Sequence, residues 1–189
     1  MSDQAQLIHL KNVRISYPHL FTPYAGPAGG AAKYSAKFLL DKQKDAALIV
    51  AVKNAIMALA QETFKDKKLP PADKLCLRDG DQSGRTEEEG SWTFSASEAS
   101  RPVVVDQRRS PLVAEDEKIY AGCFVNATVR LWAQNNQYGR RINANLVGVQ
   151  LVSNGPRLGS SRSNISAEEM FSEVSDFNSD EGFEVDPFA

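Results

Sequence analysis

The stretch that most constrains this chain lies at 121–152, where two runs of alternating residues, 121–133 and 140–152, flank Gln134-Asn135-Asn136-Gln137-Tyr138-Gly139. Strand side chains point to opposite faces in turn, so parity separates them into two sets. In the first run Cys123, Val125, Ala127, Val129 and Leu131 form a small apolar face, and Phe124, Asn126, Thr128, Arg130 and Trp132 form the other. In the second, Ile142, Ala144 and Leu146 oppose Arg141, Asn143 and Asn145. A period of two held this long is incompatible with a helix and predicts a long β-hairpin with one buried face.

The rest of the sequence supplies partners for that hairpin. Ile8 and Leu10 share one parity while Val13, Ile15 and Tyr17 share the other, so a bulge near Lys11-Asn12 places all five on one face of a strand. The 22–30 stretch is too rich in Pro and Gly for a regular element and reads as a loop carrying Tyr24. Tyr34, Ala36, Phe38 and Leu40 alternate with Lys33, Ser35 and Lys37, a half-buried strand with a basic outer face. The one convincing helix spans 42–64, N-capped by Asp41, with Ile49, Val52, Ile56, Leu59 and Phe64 as its apolar stripe. Shorter strands follow at 74–78, 92–97 and 103–105. The fold class is therefore mainly β with one long helix.

Charge is divided unevenly. The 166–189 segment holds eight acids and no Lys or Arg, so residues 1–165 carry all 22 basic residues against 16 acids. A basic body with an acidic tail suits a polyanion partner for the body and an interaction role for the tail. Four phenylalanines interrupt the tail acids, which an ordinary solubilising tail lacks. Ser153-Asn154-Gly155-Pro156 and Gly159-Ser160-Ser161-Arg162-Ser163 read as a flexible linker. The organisation expected is a domain over 1–152, a linker over 153–165 and a disordered acidic tail over 166–189.

Several classes fall away. The start lacks a basic stretch followed by an apolar one, and no charge-free apolar run approaches the roughly 18 residues that span a bilayer, which predicts a cytoplasmic protein without a membrane partner. Cys76 and Cys123 form no CxxC, and the histidines, His9 and His19, lie far from both, so neither zinc nor a disulfide framework is expected. Asp79-Gly80-Asp81-Gln82-Ser83-Gly84 begins like a calcium loop, but its twelfth position is Gly90, and it reads as a charged turn. No nucleophile elbow or phosphate-binding glycine loop is present, which leaves no catalytic residue, metal or cofactor to nominate.

The positive signal is the hairpin face opposite the core, where Phe124 and Trp132 flank Arg130. Bases of a single strand stack on such rings while Arg and Lys track the phosphates. Lys33, Lys37, Arg140 and Arg141, on strands or their ends, extend the candidate nucleic-acid site, to which Arg14 and Tyr24 are added.

The same residues carry a resemblance. Arg14-Ile15-Ser16-Tyr17-Pro18-His19-Leu20-Phe21, Leu77-Arg78-Asp79-Gly80-Asp81, Arg101-Pro102-Val103-Val104-Val105-Asp106 and Ile119-Tyr120-Ala121-Gly122-Cys123-Phe124-Val125-Asn126 occur in the order found in a family of bacteriophage single-stranded-DNA-binding proteins typified by an Enterobacter phage member. The resemblance implies an OB fold, a Greek-key β-barrel, whose groove holds single strands without sequence preference. Asp186-Pro187-Phe188 is similar to the acidic tail ends of bacterial and phage single-strand binders, although Ala189 follows the aromatic. That similarity implies recruitment of phage or host replication and recombination proteins through Phe183, Asp186 and Phe188, in the host cytoplasm if the chain is phage-encoded. The expectation is a nonenzymatic single-strand binder. The alternatives are a metal-dependent nuclease or recombination enzyme using Asp79, Asp81 and Glu87, and an OB protein-interaction module that does not touch DNA.

Overall fold

The computed structural model describes residues 6–159. Seven strands occur in the order β1 (Leu7–Tyr24), β2 (Lys33–Asp41), β3 (Leu77–Asp79), β4 (Ser91–Glu98), β5 (Val103–Val105), β6 (Phe124–Asn136) and β7 (Gly139–Ser153), with the helix α1 (Ala46–Thr63) between β2 and β3. They form one sheet in the order β3-β4-β2-β1-β6-β7-β5. The sheet closes on itself ahead of β3, where Leu75 bridges Ile142 of β7, the Cys76 amide donates to the Ile142 carbonyl, and the Ser95 amide of β4 donates to the Cys76 carbonyl. A closed barrel removes the open edges that an isolated sheet would expose.

Alternation explains the core. Val125, Ala127, Val129 and Leu131 of β6 are all buried, as are Ile142, Ala144 and Leu146 of β7. Beyond Leu146 the inward set changes parity to Val149 and Leu151, because Thr128 pairs with Gly148 and Val129 with Leu146, leaving Val147 bulged out. The bulge expected near Lys11-Asn12 lies between Leu10 and Val13. Asn12 takes a positive φ of 51° there and its amide donates to Asn126 Oδ1. The bulge lets Leu10, Val13 and Ile15 share the interior.

α1 starts later than its apolar pattern suggests. Asp41 accepts from the amides of Gln43 and Lys44, making a turn at 41–44, and the helix begins at Ala46 with Asp45 as its N-cap residue. Ile49, Val52, Ile56 and Ala60 are its buried residues, and α1 meets β2 and β6. It is the one helix among the described residues long and apolar enough to cross a bilayer by length and composition. Phe64, just past its end, is also buried, whereas Leu59 is half-buried.

The start of the expected linker is fastened to the barrel. Leu158 donates its amide to Ala121, Tyr120 Oη donates to the Gly155 carbonyl, and Arg14 donates Nε to Gly122 and Nη2 to Pro156. Gly122, at φ 117°, has no Cβ because one would stand 2.1 Å from the Pro156 carbonyl oxygen. Residues 154–158 therefore form a strap along the barrel. The remaining linker residues and the tail, with Phe183, Asp186 and Phe188, lie outside the described residues.

Candidate nucleic-acid interface

A groove of about 1000 Å³ crosses the barrel over β1, β2, β4 and β7. Its floor is short and polar: Ser35 of β2, Ser95 and Ser97 of β4, and Asn143 and Asn145 of β7. Those positions face away from the core by parity, so the barrel needs none of them for packing. Small hydrogen-bonding side chains leave room for planar groups to lie against the sheet.

Rings and cations rise from the walls. His19 and Tyr24 of β1 stack with ring centroids 4.5 Å apart and planes inclined by 13°. Tyr17 stands between two cations, with Lys37 Nζ 5.4 Å and the Arg85 guanidinium 5.2 Å from its ring centroid, and donates its hydroxyl to Glu87. Burial and that hydrogen bond raise the phenol above its usual range, so it stays protonated as a donor. Trp132 lines the same groove, 40 % exposed, with Lys33 and Arg141.

One carboxylate holds the basic wall in place. Glu88 is buried to 1 % exposure and accepts from Lys37 Nζ at 2.5 Å, with Arg85 Nη1 3.6 Å away. Burial pushes its carboxyl up, but the hydrogen bonds from Lys37 and Ser83 and the Arg85 charge outweigh it and keep Glu88 ionised below the ordinary range.

Of the residues nominated from sequence, the structure brings together Lys33, Lys37, Tyr24, Trp132 and Arg141. Arg130 is exposed on β6, opposite Asn145, beside the groove lining rather than in it. Phe124, Arg14 and Arg140 lie elsewhere. Phe124 is half-buried against Gly155 of the strap with Lys44 Nζ 5.3 Å from its ring, and Arg14 holds the strap's carbonyls. Arg140 Nη1 donates to Asp66 at 2.7 Å, over the Phe64 ring.

Sequence reasoning missed Tyr17, His19, Lys74, Arg78 and Arg85 as groove residues. Tyr17 was expected inside with Ile15. It turns out, 45 % exposed at a φ of 47°, while Ser16 takes the buried place. The available signal was Pro18, which has no N–H to give a ladder and within sheets sits at edges or bulges; the β1–β2 register shifts between Ser16 and His19. Arg85 comes from the charged turn, which had been read only as a turn.

Several carboxylates of that turn are engaged within the protein. Lys42 Nζ sits 2.6 Å from Asp79 and 2.5 Å from Asp81, and those hydrogen bonds raise the ammonium's affinity for its proton. Asp81 also accepts from the Gly90 amide, and Glu87 from Tyr17. The Lys42 ammonium thus bridges Asp79 and Asp81. Both cysteines are buried as reduced thiols, Cys76 pushed up to about 12 by burial.

Comparison with known proteins gives this geometry a context. Residues 6–183 match the family model described as Enterobacter phage Enc34, ssDNA-binding protein. Putative protein p50 of Acyrthosiphon pisum secondary endosymbiont phage 1 is 38% identical over 156 residues, spanning 78% of this chain and 84% of that protein. The solved single-stranded DNA-binding protein from bacteriophage Enc34 in complex with ssDNA is 35% identical with a TM-score of 0.75, over 82% of this chain and 91% of that one. For gp2.5, a single-stranded DNA-binding protein encoded by bacteriophage T7, the TM-score is 0.51 at 16% identity over 82% of this chain and 96% of that one, a likeness of fold alone. With an OB-type barrel, one helix and a family match over most of its length, the chain belongs to the Enc34 phage ssDNA-binding protein family.

Proposed function

We propose that this protein binds single-stranded DNA without sequence preference, by stacking bases on the groove's rings and pairing phosphates with its cations. The observation that carries the reading is the groove itself, where Tyr17, Tyr24, His19 and Trp132 stand among Lys33, Lys37, Arg85 and Arg141 above a polar floor. Every base offers a π face, so stacking tolerates any sequence, while the cations supply a salt-dependent term. Serine and asparagine on the floor satisfy base edges in either orientation.

The protein binds its strand without cleaving it: Asp79 and Asp81 are both taken up by the Lys42 ammonium, and burial holds the Cys76 thiol protonated. Its setting is phage DNA replication or recombination in the host cytoplasm. The acidic 166–189 segment, with Phe183, Asp186 and Phe188, recruits replication or recombination proteins there.

Titration with oligo-dT tests the reading through tryptophan emission and the anisotropy of a labelled strand. Quenching that weakens steeply with salt, with the strand intact in magnesium, is the expected result. Unchanged emission and anisotropy at low salt would leave a barrel that serves another partner, and a shortened strand would make the protein a nuclease.

A further inference from the structure

A second cavity, of about 660 Å³, opens beside the groove between α1 and the β3–β4 hairpin. The two adjoin: Lys37, Leu75, Arg78, Arg85 and Ser95 line both. Their linings differ. The groove floor is polar, whereas the second cavity is lined by Ile56, Met57, Leu69 and Leu77, with Met57 and Leu69 each 44% exposed at its rim. Exposed apolar side chains grouped around a concavity point to an occupant with an apolar face.

We infer that the single strand leaves the groove past Arg78 and Arg85 and continues into this cavity, where a further base lies against Met57 and Leu69 and its phosphate meets Lys53. This subsite rests on the single-strand reading above. Charge supports a polyanion entering here. Each of the cavity's carboxylates has a cation beside it: Asp79 has Lys42 at 2.6 Å, which Asp81 shares, Asp73 has Lys74 at 3.2 Å and Glu88 has Lys37 at 2.5 Å. Lys53 has no carboxylate partner among the described residues and rests its Nζ 3.7 Å over the Trp92 ring, with Lys42 at 5.8 Å. The ring's negative face therefore holds ammonium charge at the cavity mouth, available to a phosphate. Arg78 spends its donors on the carbonyls of Leu75 and Asp73, which fixes its guanidinium at the junction without cancelling its charge.

The protein's two tryptophans report the two cavities separately, Trp132 in the groove and Trp92 in the second. Full-length Trp132→Phe and Trp92→Phe variants each leave one reporter. They are titrated to saturation, judged by anisotropy of labelled strands, with oligo-dT of about 5 and about 15 nucleotides, lengths that bracket OB site sizes. Trp92 emission is expected to change only with the longer strand, and Trp132 emission with both. Met57→Glu, on an exposed face of α1, is expected to weaken the longer strand about tenfold and leave the shorter one unchanged.

A silent Trp92 at saturation with the longer strand overturns the subsite while leaving single-strand binding intact. So does a Trp92 response equal for both lengths, or a Met57→Glu effect that is absent or equal for both. Failure of the wild type to bind either strand overturns the single-strand reading and the subsite together.

Discussion

Phe124 begins β6 and Trp132 stands toward its other end; they share one parity and read identically in the sequence, yet the fold uses them differently. At the first end Phe124 packs on Gly155 of the strap, beside Arg14, whose guanidinium holds the strap's carbonyls. At the other, Trp132 opens into the groove with Arg141. Bulges in β7 opposite Phe124/Val125 at the start of β6 and opposite Thr128/Val129 at its middle coil the hairpin, so a face that is single along the strand is divided around the barrel. Parity separates inside from outside. Which part of the outside a side chain reaches depends on strand coiling and on whatever segment later crosses it.

The largest effects break this comparison most directly. Trp132→Ala is expected to weaken single-strand affinity by about 1–3 kcal/mol with an unchanged unfolding midpoint. Phe124→Ala is expected to do the reverse, costing about 2 kcal/mol of stability through lost packing on the strap while groove affinity holds. Urea unfolding and oligo-dT titration of both variants check the pair. A loss of affinity in Phe124→Ala equal to that in Trp132→Ala, with normal stability, would return the two rings to one binding face.

The groove end has its own internal support, and Glu88 sharpens the contrast. Glu88→Gln keeps the shape but removes the buried charge that Lys37 and Arg85 face, so stability is expected to fall by about 1–3 kcal/mol. Single-strand affinity should rise, since Lys37 then meets phosphate without a competing carboxylate. The pH dependence has a definite sign. Because the carboxyl is held below its ordinary value, its contribution is complete above the usual glutamate range near pH 4.3, and it fades as pH falls through the depressed value. Denaturation midpoints of wild type and Glu88→Gln should therefore converge in acid. No gap at neutral pH would show that Glu88 acts through shape alone, and a gap of constant size into acid would show that ionisation of its carboxyl does not carry the contribution.

Much of the barrel was legible because its signals are local. The β6–β7 alternation, the bulge at Asn12, the basic face of β2 and the apolar stripe of α1 each arise from residues close in sequence. Closure through Leu75 and Ile142 was not, since it depends on contact between distant segments. The same division runs through the site. Lys33, Lys37, Tyr24, Trp132 and Arg141, nominated by residue chemistry, line the groove, whereas Tyr17 was hidden by an apparent alternation that the Tyr17-Pro18 step breaks. Arg85 reaches the groove from the same turn, 3.6 Å from the buried Glu88, a contact that the turn's own sequence does not announce. For 154–158, Gly and Pro suggested freedom, but here they permit close approach to Gly122 and Phe124.

The smallest expected effect tests the comparison at two adjacent residues. Arg140 and Arg141 follow one another on β7, so alternation points them to opposite faces. Arg140 is engaged with Asp66 at 2.7 Å, and that ion pair holds the aspartate carboxyl below its usual range. Arg141 lines the groove, with no carboxylate partner among the described residues. Each phosphate contact to a single strand contributes about 0.7 to the slope of log K against log salt, because binding releases condensed counterions. Arg141→Gln should therefore lower the slope by about 0.7 and weaken all sequences alike. Arg140→Gln should leave the slope unchanged and shift stability by less than about 1 kcal/mol, as for exposed ion pairs generally. Parallel salt titrations on oligo-dT and oligo-dA decide between them. Equal slope losses would place Arg140 on the phosphate path after all, and a loss confined to one base composition would make Arg141 a reader of base edges.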